Sequence, residues 1–147
     1  MSRRILVIAL LAAAGCSRKD PASAQAALEK QFEESLSGAT LVGRFTAGKS
    51  TDLAEDKYTI QKVSKVAGET WLFHTRIQYG SRDVTVPLPL TVKWAGDTPV
   101  VTLTDLAIPG LGTFTARVLF YRGQYAGTWS GKNHGGTLFG RITKAGS

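Results

Sequence analysis

Apolar and polar side chains alternate along most of the chain from residue 39 onward. The alternation is clearest at 71–79 and 84–94. A period of two predicts β-strands with one buried face. Along these two stretches the shared face carries Trp71, Phe73, Thr75, Ile77 and Tyr79, then Val84, Val86, Leu88, Leu90, Val92 and Trp94. Further strands are predicted at 40–47, 57–66, 99–106, 113–122, 124–131 and 136–143, with inward positions at Phe114, Ala116, Val118, Phe120, Leu138 and Ile142.

The segments between these strands are short and rich in glycine, as at Gly80-Ser81, Gly96-Asp97 and 133–136. Such turns join antiparallel neighbours, because parallel strands need a crossover of about a dozen residues or more. We therefore predict an all-β fold, an antiparallel meander of about eight strands that forms a closed or partly open barrel. A β-sandwich is the alternative.

Two prolines, Pro87 and Pro89, interrupt the backbone donors of the stretch 84–94. Residues two apart direct their N–H groups toward the same neighbouring strand, and proline has none to donate. One side of this strand is therefore predicted to be an edge or a gap in the barrel.

Before the strands, apolar side chains recur every four residues at Leu28, Phe32 and Leu36. This spacing predicts an amphipathic helix over 22–37, ended by Gly38. We expect its apolar stripe to pack on the body of the protein.

The first residues have the layout of a secretory signal peptide, with Arg3 and Arg4 followed by an apolar run at 5–14 and then small residues. The run is shorter than the roughly 20 residues that span a bilayer, so no permanent transmembrane helix is expected. Ala13-Ala14-Gly15-Cys16 resembles the lipobox of bacterial lipoproteins, in which the cysteine is lipidated and becomes the first mature residue. The alternative is an ordinary signal peptide with an unmodified Cys16. Separately, Ser2-Arg3-Arg4 partly resembles a twin-arginine export signal, so the export route stays open.

The expected organisation is a signal peptide at 1–15, the lipidated Cys16 with a linker at 16–21, the helix at 22–37 and a barrel-like domain at 38–147. Cys16 is the single cysteine, which leaves none for a disulfide. The net charge of +7 comes from scattered basic residues, which we interpret as a solvated basic surface. The expected location is the cell envelope, with the protein anchored by lipid to a bacterial membrane and facing the periplasm or the exterior. The membrane is then a partner, and nucleic acid is not expected to be one.

The stretch Gly43-Arg-Phe-Thr-Ala-Gly-Lys49-Ser fits the spacing of a phosphate-binding loop. Such a loop needs a buried parallel strand before it and a helix after it. Here the segment 51–57 is short and acidic, and another strand follows. We interpret the stretch as a strand end and a polar turn, and we expect no nucleotide.

Candidate catalytic groups are sparse. His74 is expected on the outward face of its strand and His134 in a glycine-rich turn, both exposed and without a role. The acid pairs Glu33-Glu34 and Glu55-Asp56 are expected on the helix and in a turn, with nothing apolar to raise a pKa. We therefore predict no enzymatic activity, no metal site and no cofactor.

Tyr125-Ala-Gly-Thr-Trp129-Ser-Gly131 with 135–140 resembles the glycine and tryptophan strands of lipocalin- and avidin-type, calycin-like barrels. Those families place Gly-x-Trp near the first strand, whereas here it falls in the second-to-last. The resemblance implies an apolar ligand in the barrel mouth. Under this reading the candidate ligand-binding residues are Trp71, Phe73, Trp94, Phe114, Phe120 and Trp129. We favour the interpretation that these rings fill the core, because an eight-stranded barrel is just wide enough to be packed by side chains.

Two functions stay open. The first is a lipid-anchored envelope lipoprotein whose barrel holds a small apolar or amphiphilic envelope molecule. The second is an interaction or structural adaptor that docks another envelope component. It would use the proline-marked strand edge and the outer face that carries Arg76, Arg117, Tyr121 and Arg122.

Overall fold

Eight strands follow one helix in the computed structural model, which describes residues 20–145. All neighbouring strands pair antiparallel, and β8 pairs with β1, so the sheet closes into a barrel in chain order. The prediction of an all-β meander of eight strands is confirmed, and the barrel is the form it takes. The elements are α1 (Pro21–Leu36), β1 (Ala39–Phe45), β2 (Ala54–Ala67), β3 (Thr70–Tyr79), β4 (Arg82–Ala95), β5 (Thr98–Ile108), β6 (Gly112–Tyr121), β7 (Gln124–Ser130) and β8 (Gly135–Lys144).

The predicted signal peptide at 1–15 and the predicted lipidation site Cys16 lie outside the described residues. Within residues 20–145, no helix has the length and apolar character needed to cross a membrane.

The predicted inward face of the strands is confirmed. Trp71, Phe73 and Ile77 of β3 are buried, as are Leu88 and Leu90 of β4. Partly buried side chains complete the same core at Trp94, Phe114, Val118, Phe120 and Ile142. These residues share one interior because alternate side chains of every strand point into the barrel.

The ladder between β4 and β5 is short. It runs from Thr91↔Thr102 to Ala95↔Thr98, whereas the β3–β4 ladder extends from Thr70↔Thr91 to Tyr79↔Arg82. Pro87 and Pro89 lie in the part of β4 that has no partner on the β5 side. The predicted gap is confirmed, and its physical cause is that neither proline can donate to a ladder there.

Helix α1 closes the end of the barrel at which β1 begins. It starts at Pro21, one residue before the predicted start, and ends at Leu36, one residue before the predicted end. Gly38, predicted to end the helix, follows with a positive φ of 76°. Phe32 and Leu36 are buried, and Leu28 is half-buried. The Phe32 ring meets four barrel rings edge-on, with centroids 5.2–6.2 Å away at Trp71, Phe73, Trp94 and Phe120. One end of the barrel is therefore solidly packed.

The stretch with phosphate-loop spacing is a strand end and a turn, as predicted. β1 ends at Phe45, a turn follows at Gly48 and Lys49, and no helix lies between β1 and β2. Lys49 is exposed. The helix that must follow a phosphate-binding loop is therefore missing after this segment.

Candidate functional site

The barrel is hollow toward the end opposite α1. A cavity of about 1010 Å³ extends from the barrel interior to the loops β3–β4, β5–β6 and β7–β8. Its wall is mostly apolar, with Leu41, Ile60, Ile77, Leu88, Leu90, Leu103, Ile108, Leu111, Val118 and Leu138 among the lining residues. Side chains fill the interior at the end where rings pack around Phe32, and the cavity lies in the other half of the barrel.

Aromatic side chains surround the mouth of the cavity. The Trp129 ring has its centroid 5.8 Å from Phe45, 6.3 Å from Phe114 and 5.3 Å from His134. Its indole N–H donates to the carbonyl oxygen of Thr46 at 3.0 Å, which fixes the ring against the β1–β2 loop. The mouth therefore has an ordered apolar rim.

The structure divides the predicted ligand-binding residues into two groups. Phe73, Phe114 and Trp129 line the cavity. Trp71, Trp94 and Phe120 contact Phe32 at the closed end, and Phe73 lies between the two groups because its ring also contacts Phe32. The sequence could not separate the groups, because both lie on the inward face and only the position of α1 decides which end is filled.

A buried carboxylate stands in the cavity wall. Asp56 is 4% exposed and accepts two hydrogen bonds, from the Tyr58 hydroxyl to Oδ2 at 3.0 Å and from the Tyr125 hydroxyl to Oδ1 at 3.1 Å. Burial raises the pKa of Asp56, against the opposing effect of the two tyrosine hydrogen bonds. Burial together with the neighbouring Asp56 charge also raises the pKa of Tyr58 and of Tyr125. Both phenols are therefore protonated donors at neutral pH. We call these three residues the Asp56 cluster.

Two glycines make the Asp56 cluster possible. Tyr125 of β7 lies opposite Gly140, Gly140 opposite Gly43, and Gly43 opposite Asp56. A Cβ at Gly43 would lie 2.2 Å from the Tyr125 hydroxyl, and one at Gly140 would lie 2.6 Å from it. The Tyr125 side chain can therefore cross two strands to reach Asp56 because neither strand carries a side chain there. Gly43 is the first glycine of the phosphate-loop spacing, and its role is steric.

The expectation for Glu55-Asp56 is wrong at Asp56. Both residues belong to β2, which begins three residues earlier than predicted, and only Glu55 is exposed. Asp56 shares the inward face with Tyr58 and Ile60, which line the cavity. The signal that could have found it is this alternation, with an acid two residues before an inward tyrosine.

The two histidines differ from the expectation in part. His74 is on β3 but half-buried, and His134 is exposed as predicted yet borders the cavity against Trp129. Charged side chains at the cavity margin are Arg82, Asp105 and Lys132. Across residues 20–145, no group of three histidine, cysteine or acidic side chains is placed to hold a metal ion.

Comparison of the chain with protein-family models, with curated proteins and with solved structures finds no match in any of the three. The site therefore has to be interpreted from its own geometry.

Proposed function

We propose that this protein is a non-enzymatic lipoprotein of the bacterial cell envelope, anchored through lipid on Cys16, whose barrel binds a small apolar or amphiphilic molecule. The observation that carries the proposal is the cavity of about 1010 Å³. Ligand pockets have volumes of roughly 300–1,000 Å³ and combine a mainly apolar wall with a few polar groups. An eight-stranded barrel that is not filled by side chains has room for one small ligand.

The division of the interior supports the same function. Helix α1 and its aromatic partners provide a packed base, while the cavity half is lined by aliphatic and aromatic side chains and opens between loops. A rigid barrel closed at one end excludes water from the ligand's apolar part without a large rearrangement. The binding free energy then comes mainly from apolar surface removed from water.

The second candidate is an adaptor that docks another envelope component through its outer face. Leu119, Tyr121 and Phe139 are 42%, 44% and 46% exposed, and the guanidinium of Arg122 lies 5.2 Å from the centre of the Tyr121 ring. Leu119 lies opposite Ala126, and Ala126 opposite Phe139, so two of these side chains share one outer patch.

The two other arginines predicted for this outer face form hydrogen bonds within the protein. Arg76 donates two hydrogen bonds to Asp83, at 2.8 and 2.6 Å. Arg117 donates to the Leu103 and Ala116 carbonyls and to the Thr104 hydroxyl. Barrel closure also gives every strand a hydrogen-bonded neighbour on both sides, while β4 before Thr91 and β5 after Thr102 do not pair with each other. We therefore favour the cavity as the functional site.

The experiment is a titration of the lipid-free protein with a neutral fluorescent naphthalene probe. We expect saturable binding in the low micromolar range. Leu88 lines the cavity, so Leu88→Trp should fill part of it and weaken binding at least about tenfold. Thr85→Trp is the matched control, because Thr85 is an exposed residue of the same strand.

Failure of the wild type to bind the probe, or equal loss of binding in both variants, would contradict the cavity as the functional site. Thermal unfolding of each variant verifies that a loss of binding is not a loss of fold.

A further inference from the structure

Within the part of the chain that the structure describes, the Asp56 carboxylate has hydrogen-bond partners but no cationic partner. Among residues 20–145, the ion pairs are formed by Glu29, Glu34, Glu55, Glu69 and Asp83, and none involves Asp56. A buried carboxylate without a positive partner destabilises a fold, because desolvation is not offset by charge pairing. An apolar residue at position 56 would avoid this cost. The carboxylate is therefore a candidate for a functional role.

The cluster presents hydrogen-bond acceptors to the cavity. An ionised carboxylate only accepts, so the Tyr58 and Tyr125 hydroxyls must each donate their single hydrogen to Asp56. What is left for a ligand is the remaining lone pairs of the carboxylate and of the two phenolic oxygens. All three side chains line the cavity. When Asp56 is ionised, a group that enters this part of the cavity meets negative charge and acceptors.

We propose that the Asp56 cluster binds the head group of the barrel's ligand and selects a hydrogen-bond donor, a protonated amine or a hydroxyl, over a carboxylate or a phosphate. This rests on the proposed function, because it assigns the polar end of the same amphiphilic molecule. The aliphatic wall then takes the chain, and the cluster fixes its orientation. A protonated amine supplies the cation that Asp56 lacks.

The charged side chains at the mouth of the cavity are where a ligand with an anionic head group would bind instead. Arg82 and Lys132 border the cavity together with Asp105, and all three are exposed. An anionic amphiphile would place its head group beside Arg82 and Lys132, and its apolar chain would then contact the Asp56 cluster. Such a ligand would gain little there, because exposed ion pairs in water are weak. It would also leave the buried carboxylate desolvated against an apolar chain.

The test uses three amphiphiles of equal chain length, decylamine, decanol and decanoic acid, each below the concentration at which it forms micelles. Their affinities are measured at pH 7.5 by displacement of the neutral naphthalene probe. We expect decylamine to bind most tightly and to exceed decanoic acid at least tenfold, since a hydrogen bond to a charged group is worth about one order of magnitude or more. Decanol should fall between them.

Two variants separate the charge from the hydrogen bonds. Asp56→Asn removes the charge at nearly constant shape, and the ratio of amine to acid affinity should fall to within about twofold. Tyr125→Phe leaves the charge in place, so the preference for the amine should persist. A merely structural role of Asp56 would change unfolding in both variants without moving this ratio.

The wild-type ranking is decisive even if a variant fails to fold. Decanoic acid competing as well as decylamine, or better, would overturn the head-group assignment while leaving the cavity as a binding site. An unchanged ratio in folded Asp56→Asn would do the same. Absence of probe binding in the wild type would instead remove the proposed function itself.

Discussion

The Tyr125 hydroxyl donates to Oδ1 of Asp56 at 3.1 Å, across two intervening strands of the barrel. The contact needs both Gly140 and Gly43, because a Cβ at either would collide with the phenol oxygen. Two residues that are 69 positions apart in the chain can therefore form a hydrogen bond, because neither intervening strand has a side chain between them.

Gly43→Ala should therefore destabilise the fold by at least about 1–3 kcal/mol, the usual cost of overpacking. The new methyl group would also lie 2.2 Å from the Phe139 carbonyl oxygen. Gly131→Ala is the matched control, because a Cβ there would meet Phe114 at 3.6 Å, an ordinary contact, and should change stability by less than about 0.5 kcal/mol. Urea unfolding of both variants measures the difference. Equal effects would show that Gly43 has no special steric role.

Asp56 should make stability depend on pH with an unusual sign. Because burial raises its pKa in the folded state, the folded protein holds this proton more tightly than the unfolded chain does. Its contribution to stability is therefore present at low pH and is lost as pH rises through the raised folded pKa. The stability of Asp56→Asn relative to wild type should therefore increase as the pH rises above about 4, the ordinary pKa of an aspartate in an unfolded chain.

Asp83 should change the pH dependence of stability in the opposite direction to Asp56. Its hydrogen bonds from Arg76 lower its pKa, so its stabilising contribution is present at neutral pH and is lost as pH falls through the folded pKa. The relative stability of Asp83→Asn should thus increase toward low pH. Denaturant unfolding at a series of pH values measures both slopes. The same slope for the two variants would mean that Asp56 is not held in a desolvated state.

The two ends of the barrel should respond differently to loss of a ring. Phe32→Ala removes the side chain that four barrel rings surround, and should cost about 3–5 kcal/mol. Phe114 is half-buried and lines the cavity, so Phe114→Ala breaks less close packing and should cost clearly less. Calorimetric or denaturant unfolding gives the comparison. A severe effect at Phe114 would mean that the mouth, too, is a packed core.

Membrane attachment tests the lipoprotein proposal. Cys16→Ser should release the protein from membranes or stall removal of the signal peptide, because the replacement cannot carry the thioether-linked lipid. Two acyl chains give stable anchoring at about 0.8 kcal/mol per buried CH₂, and a chain without them has lost that attachment. Fractionation of cells that express each form, with mass measurement of the processed chain, is the readout. A correctly processed variant that stays in the membrane would refute lipid anchoring at Cys16.

The sequence by itself determined the strand faces, the meander and the gap beside Pro87 and Pro89. These features follow from local chemistry: alternation of side chains, turns rich in glycine and the missing N–H of proline. It did not reveal Asp56 as a buried group. In β2 the register shifts between Ile60 and Lys62, so the inward phase of Asp56, Tyr58 and Ile60 differs from that of Val63. A single alternating pattern cannot be followed through such a shift.

Only the tertiary structure decided which inward rings are packed and which line a cavity. All of them obey the same alternation, and the difference arises because α1 inserts Phe32 and Leu36 at one end and leaves the other unfilled. Likewise, the contact between Tyr125 and Asp56 depends on the cross-strand alignment of Gly43 with Gly140. Alternation along one strand determines which face a residue lies on, but the space opposite that residue depends on neighbours that only the closed barrel brings together.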